Sequence, residues 1–309
     1  MEKCFSQTLS VVIPVTGRDC VRLGDTLASL AAQTLAPQRI VLIEEDSANE
    51  EAHIVCREAA FDDENVSLTV DDRQYRGMDA AINRGIAAVK TSLFALLACG
   101  DTVSPEFVEY MTETADSKTD ICVSGAGFSA AINAPLSDLR LGKLLRRGCF
   151  DSLRGMVFRK ALFEDNMLEF VDKGDASAVS LVMSCLMYCR KMAVVKEELV
   201  KRADPIVKPS RFVKSTDIDE ATAIHARLLS VTAEPLHNDI YEYAYDLYSR
   251  LFDRALAANQ RSLARHFLKQ KLVQLAYARH RSSSPAERVR VMLMRNRLFP
   301  LMRVAHLFK

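Results

Sequence analysis

Along the first 130 positions, short unbroken apolar runs alternate with segments in which apolar residues recur every three or four positions. Leu9-Ser-Val-Val-Ile-Pro-Val15 is a β-branched run stopped by Thr16-Gly17, the composition of a buried parallel strand leading into a turn. The spacing then changes, and Leu23, Leu27, Leu30 and Ala31 predict a helix over 21–34. A second buried strand is predicted over 39–43, running straight into Glu44-Glu45-Asp46. The pattern continues with a polar helix over about 49–60, a strand over 66–70, a helix over 77–89 and a strand over 93–98 followed at once by Gly100-Asp101. Alternating strands and helices predict an α/β class with a mostly parallel sheet flanked by helices. Ligands in such sheets lie at the carboxyl ends of the strands, so Thr16-Gly17, Glu44-Glu45-Asp46 and Gly100-Asp101 are expected to line one crevice.

Further along, a helix is predicted over 105–115, a strand over 120–124 opening into Gly125-Ala-Gly127, and a helix over 176–190 within a mixed stretch at 150–204. The chain turns polar between Ile206 and Asp219, near Pro205 and Pro209, which sets an expected boundary between a domain at 1–205 and an all-α region at 206–309. In that region Glu242, Asp246, Arg250 and Asp253 form a polar stripe that leaves Tyr241, Tyr245, Tyr248 and Phe252 on a broad apolar face, read as core. Ser284-Pro285-Ala286-Glu287 has the form of a capping box with proline at the first helical position, and Pro300 is expected to end or kink that helix.

Composition narrows the class. The chain has 309 residues, 49% hydrophobic and 26% charged, which excludes collagen-like and wholly disordered proteins. No apolar run nears membrane-span length, and the first residues lack the cationic-then-apolar pattern of a signal peptide. The eight cysteines show no zinc spacing, so reduced, mostly packing thiols and a cytoplasmic location are expected. A net charge of +1 conceals a split: from Arg254 to Lys309 thirteen Lys and Arg face a single acid, Glu287. That tail is a candidate for contact with an anionic polymer or the inner face of the cell membrane, or for packing as a helical subdomain and homodimer surface. Nucleic acid is disfavoured, because few aromatics interleave the basic residues.

Two stretches carry a specific resemblance. LSVVIPV, TLASLAAQT and IVLIEEDS, within Leu9 to Ser47, are similar to the opening of family 2 glycosyltransferases, whose fold is GT-A. RGMDAAINRGIAAVKTSLFALLACGDTVSPEF resembles the same family's second signature, an Asn-x-Gly-Ile helix leading to a strand that carries the metal-binding acids or their Gly-Asp variant. The resemblance covers roughly residues 8 to 205, firm to about Phe107 and weak after it, and does not extend to the C-terminal third.

The resemblance implies an inverting, metal-dependent hexosyltransferase that uses a nucleotide-sugar, with a UDP-sugar favoured, and a carbohydrate or lipid-linked acceptor in surface polysaccharide or glycoconjugate synthesis. It places Glu45 on the base, with Pro14, Val15, Thr16 and Gly17 against the same nucleoside. Asp101 falls at the last position of the metal motif, with Gly100 before it and Cys99 where the first acid would stand; hard oxygen ligands imply Mg2+ or Mn2+. Asp175, ahead of the helix over 176–190, is the expected general base, with Asp172 and Asp165 as rivals. Arg76, Arg84 and Arg202 are candidates for the phosphates, Arg202 on a loop closing over them. Cys99 and the Thr16-Gly17 turn keep a second class open, a catalytically inactive GT-A binding or assembly module.

Overall fold

The computed structural model describes residues 7–17, 19–44, 50–62, 65–69, 78–170, 177–203, 213–281 and 284–296. They fall in two compact units, one holding the described residues of 7–138, 149–170 and 177–203, the other holding 139–148 and the described residues from 213 onward.

The first unit is built on β1 (Leu9–Val15), α1 (Leu23–Ala31), β2 (Arg39–Glu44), α2 (Glu50–Asp62), β3 (Val66–Thr69), α3 (Met78–Ala88) and β4 (Leu93–Leu96). There follow β5 (Thr102–Val103), α4 (Phe107–Thr114), β6 (Ile121–Val123), β7 (Ala130–Asn133), β8 (Val157–Arg159), α6 (Lys160–Asp165), α7 (Ser177–Tyr188), β9 (Lys191–Val194) and β10 (Val200–Lys201), with α5 (Arg140–Arg146) belonging to the second unit. Eight strands make one sheet in the order β3-β2-β1-β4-β8-β6-β9-β7, and β5 and β10 form a separate antiparallel ribbon. β1 pairs in parallel with β2 and β4, β2 with β3, and β6 with β9, while β8 and β7 run against their neighbours.

Every residue of β1 is buried, which explains its unbroken apolar run: both faces of the strand are covered. Val11, Ile13 and Val15 point into the core shared with Leu23, Leu30, Phe107 and Met111. On the opposite face α3 lies close to the sheet, and Gly85 allows this, since a Cβ there would stand 2.4 Å from the Val12 side chain. Phe94, Phe158 and Phe163 form an aromatic cluster with ring centroids 5.0–5.7 Å apart.

The second unit comprises α5, α8 (Ser215–Val231), α9 (His237–Ala257), α10 (Arg261–Phe267), α11 (Lys271–Arg279) and α12 (Pro285–Arg295). Tyr241, Tyr245, Tyr248 and Phe252 of α9 are all buried in its core. Arg146 of α5 is ion-paired with Asp239 of α9, and α12 opens with one half of the expected capping box, the Ser284 hydroxyl accepting from the Glu287 N–H at 3.2 Å with Pro285 at the first turn, while the Glu287 carboxylate meets His280 Nε2 at 3.1 Å. No helix among the described residues is long and apolar enough to cross a membrane.

Candidate active site

The chain adds β2 and β3 on one side of β1 and β4 on the other. β1 and β4 therefore flank the point where strand order reverses, and the turns after them share one end of the sheet. After β1, Pro14 and Val15 are buried and Thr16 and Gly17 are half-buried. The Thr16 hydroxyl bonds the Asp19 carboxylate at 3.0 Å and accepts from the Asp19 N–H at 3.2 Å, closing a tight polar turn. At the end of β2, Glu44 is 1% exposed and its carboxylate meets His53 Nδ1 of α2 at 3.0 and 3.2 Å. Glu45, Arg76, Asp172 and Asp175 lie outside the described residues.

The turn after β4 is the most heavily braced part of the site. Gly100 has φ +89°, a left-handed conformation suited to glycine, and its N–H donates to the buried Thr26 hydroxyl at 2.8 Å. Asp101 is 0% exposed. Its Oδ2 accepts from the Ala98 N–H at 2.9 Å, and its Oδ1 accepts from the Ala203 N–H at 2.8 Å and from Arg154 Nη1 at 2.9 Å. Three segments far apart in the chain thus converge on one carboxylate. Arg202 is exposed next to Ala203, just past the β5–β10 ribbon. Arg154 carried no motif; only the fold brings it here, through the Gly155 N–H donating to the Leu96 carbonyl at 3.0 Å. Asp165 ends α6 and is exposed, and Arg84 is half-buried on α3.

Among the described residues the arrangement does not fit a divalent ion. Cys99, in the place of a first acid, is 5% exposed, and burial, with Asp19 adding to it, pushes its thiol up to about 12, so it stays protonated and a poor partner for a hard cation. Asp101, expected as the ligand, faces inward with both oxygens engaged by the turn and by Arg154. Among the described residues no three His, Cys, Asp or Glu side chains are grouped to hold a metal.

The motif residues that carried the resemblance act largely as braces. Gln33, in Ala-Gln-Thr at the end of α1, donates to the Ser104 carbonyl at 2.7 Å and accepts from the Val108 N–H at 2.9 Å, tying α1 to the segment beyond β5. Asn83 makes two bonds to the backbone of Phe170, at 2.7 and 2.8 Å, so it fixes the chain just ahead of residues 171–176.

Residues 10–154 match the model for glycosyl transferase family 2. The chain carries a family 2 glycosyltransferase domain. EpsH of Bacillus subtilis (strain 168), assigned as a glycosyltransferase, is 28% identical over 166 residues, which is 50% of this chain and 47% of EpsH, so the match spans about half of each. Among solved structures, S. aureus TarS 1–349 in complex with UDP-GlcNAc superposes with TM-score 0.67 at 14% identity, covering 97% of this chain and 90% of that one. The mannosyltransferase PcManGT from Pyrobaculum calidifontis, in complex with GDP-Man and Mn2+, superposes with TM-score 0.55 at 13% identity, covering 98% and 86%. The fold of the family 2 domain is GT-A, followed by a helical region.

Proposed function

We propose that the family 2 domain transfers a sugar from a nucleotide-sugar, a UDP-sugar before a GDP-sugar, to an acceptor hydroxyl with inversion, in the synthesis of a surface polysaccharide or glycoconjugate. The observation that carries this is the strand-order reversal between β1 and β4 in a sheet of GT-A fold, since ligands of open α/β sheets bind at the carboxyl ends of the strands flanking such a reversal. UDP-GlcNAc, UDP and GDP-Man are the ligands of the structural neighbours.

In this reaction the acceptor oxygen attacks the anomeric carbon as its proton passes to a carboxylate. The bond from that carbon to the diphosphate oxygen breaks, and the nucleoside diphosphate leaves with the electron pair. Asp175 is the proposed base, on the segment that follows the Asn83-anchored Phe170; Glu45 is the proposed partner of the nucleobase. The crevice turns, Thr16-Gly17 and 98–101, serve to orient the donor.

A panel of nucleotide-sugars incubated with the protein, with released nucleoside diphosphate as readout, tests the proposal. Slow release from one donor, lost in Asp175→Asn, supports it, and absence of both release and binding across the panel would falsify it. The protonated Cys99 and closed Asp101 favour a second reading, a GT-A module that binds the nucleotide without turnover. Binding without release, unchanged in Asp175→Asn, would select that reading.

A further inference from the structure

We propose that the donor's diphosphate charge is neutralised here by arginine in place of a divalent ion, with Arg154 as the principal group and Arg22 and Arg202 beside it. This deepens the nucleotide-sugar reading and rests on it. A diphosphate at the carboxyl ends of β1 and β4 would lie against the 98–101 turn, and that turn presents no free carboxylate to hold an ion. It does present cations drawn from three separate parts of the chain. The stem of Arg22, just before α1, packs on Gly100, its Cδ 2.9 Å from where a glycine Cβ would stand. Arg154 is bonded to Asp101, and Arg202 immediately precedes the Ala203 N–H that bonds the same carboxylate. Among the described residues, Asp101, which is paired, and Asp19, which is engaged by Thr16, offset them locally.

Arg154 has the geometry for the task. Its contacts to Asp101 and to the Ala203 carbonyl both use Nη1, leaving Nε and Nη2 without a partner among the described residues, and its side chain is 32% exposed. A guanidinium presents a planar fork that matches phosphate oxygens, and one held from behind by a buried carboxylate keeps its direction without a bound substrate. Asp101 is then a positioning residue for Arg154.

Calorimetric titration of UDP and GDP, in EDTA and in Mn2+, paired with ligand-observed NMR of uridine and guanosine, tests the proposal. Diphosphate affinity is expected to differ by less than about twofold between EDTA and Mn2+. Arg154→Ala should weaken the diphosphate about 10- to 100-fold and leave the nucleoside unaffected, with Arg154→Lys between the two. An affinity raised about tenfold or more by Mn2+, or an Arg154→Ala protein that binds as the parent does, would overturn it. Arg154→Ala strands the Asp101 charge, so if that variant does not fold, Arg154→Lys and the parent protein's metal comparison decide. Failure of nucleosides and diphosphates alike to bind under every condition overturns the nucleotide reading itself, an outcome distinct from metal-dependent binding.

Discussion

In the α/β unit the buried carboxylates Glu44, Asp101 and Asp120 sit at strand ends or in turns, each held by groups from other segments, whereas the helical unit fills its interior with rings. Asp120 accepts from the Arg190 N–H at 2.8 Å, as Asp101 accepts from Ala98, Ala203 and Arg154. In the helical unit, apart from Asp217, which caps α8 by accepting from the Lys214 N–H, the buried polarity is aromatic. His225 bonds the Tyr248 hydroxyl at 2.9 Å and meets Tyr241 edge-on, and Tyr245 stacks on His280 with centroids 3.5 Å apart. Fixed charge in the first unit holds loops at a set geometry, which a binding crevice requires. In the second, Asp217 apart, the buried polarity of the described residues rests on neutral rings, and His225 is the one among them that acid would charge.

The largest effect expected from breaking this contrast is at Asp101. Asp101→Ala leaves a guanidinium and two backbone N–H groups without their acceptor, a loss of about 3–5 kcal/mol. The measurement is urea denaturation with hydrogen exchange, and the opening should be concentrated in β4, β5 and β10. Stability within error of the parent would show that the carboxylate braces nothing.

Next in size is acid. Burial lowers the His225 pKa from 6.5 to about 4, so the folded state keeps the ring neutral while the unfolded chain takes up a proton below about 6.5. Its contribution is therefore complete above pH 6.5 and declines as pH falls from 6.5 toward 4, by roughly 3 kcal/mol in all. Urea midpoints at pH 7.5 and 5 should show the decline, and His225→Gln should flatten it; an unchanged slope in that variant would assign the acid sensitivity elsewhere.

The smallest is the cap of α12. Ser284→Ala removes the acceptor of the Glu287 N–H and should destabilise the helical unit by about 1 kcal/mol, read as a lower melting temperature, with donor binding unaltered. A melting temperature equal to the parent's would show that this cap contributes little.

Much of the fold was legible because single-residue patterns encode it. The run Leu9–Val15 reads as a doubly buried strand, the period of Leu23, Leu27 and Leu30 as a helix, and Ser284-Pro285 as a helix start; each is local chemistry. The stretch 150–204 was less legible, since β8, β9 and β10 have only two to four residues each, too short for a period, and gain their identity from partners such as β4 and β6. The site shows the same division. The strand-end turns could be placed from sequence, but the direction of a side chain could not, and Asp101 turns inward because Ala203 and Arg154, 102 and 53 residues away, supply its partners. Arg154 lay in no pattern. The roles of Gln33 and Asn83 as braces were equally hidden, because their bonds run to backbone atoms whose identity no sequence motif specifies.

Hydrogen exchange with and without UDP tests the central claim most directly, that the donor diphosphate rests at the carboxyl ends of β1 and β4 against the arginine-bearing turn. The account predicts slowed exchange at residues 14–20, 97–103 and 200–203 in EDTA, with α9 to α11 unaltered. Slowing confined to the helical unit, or appearing at 97–103 only when Mn2+ is added, would contradict it.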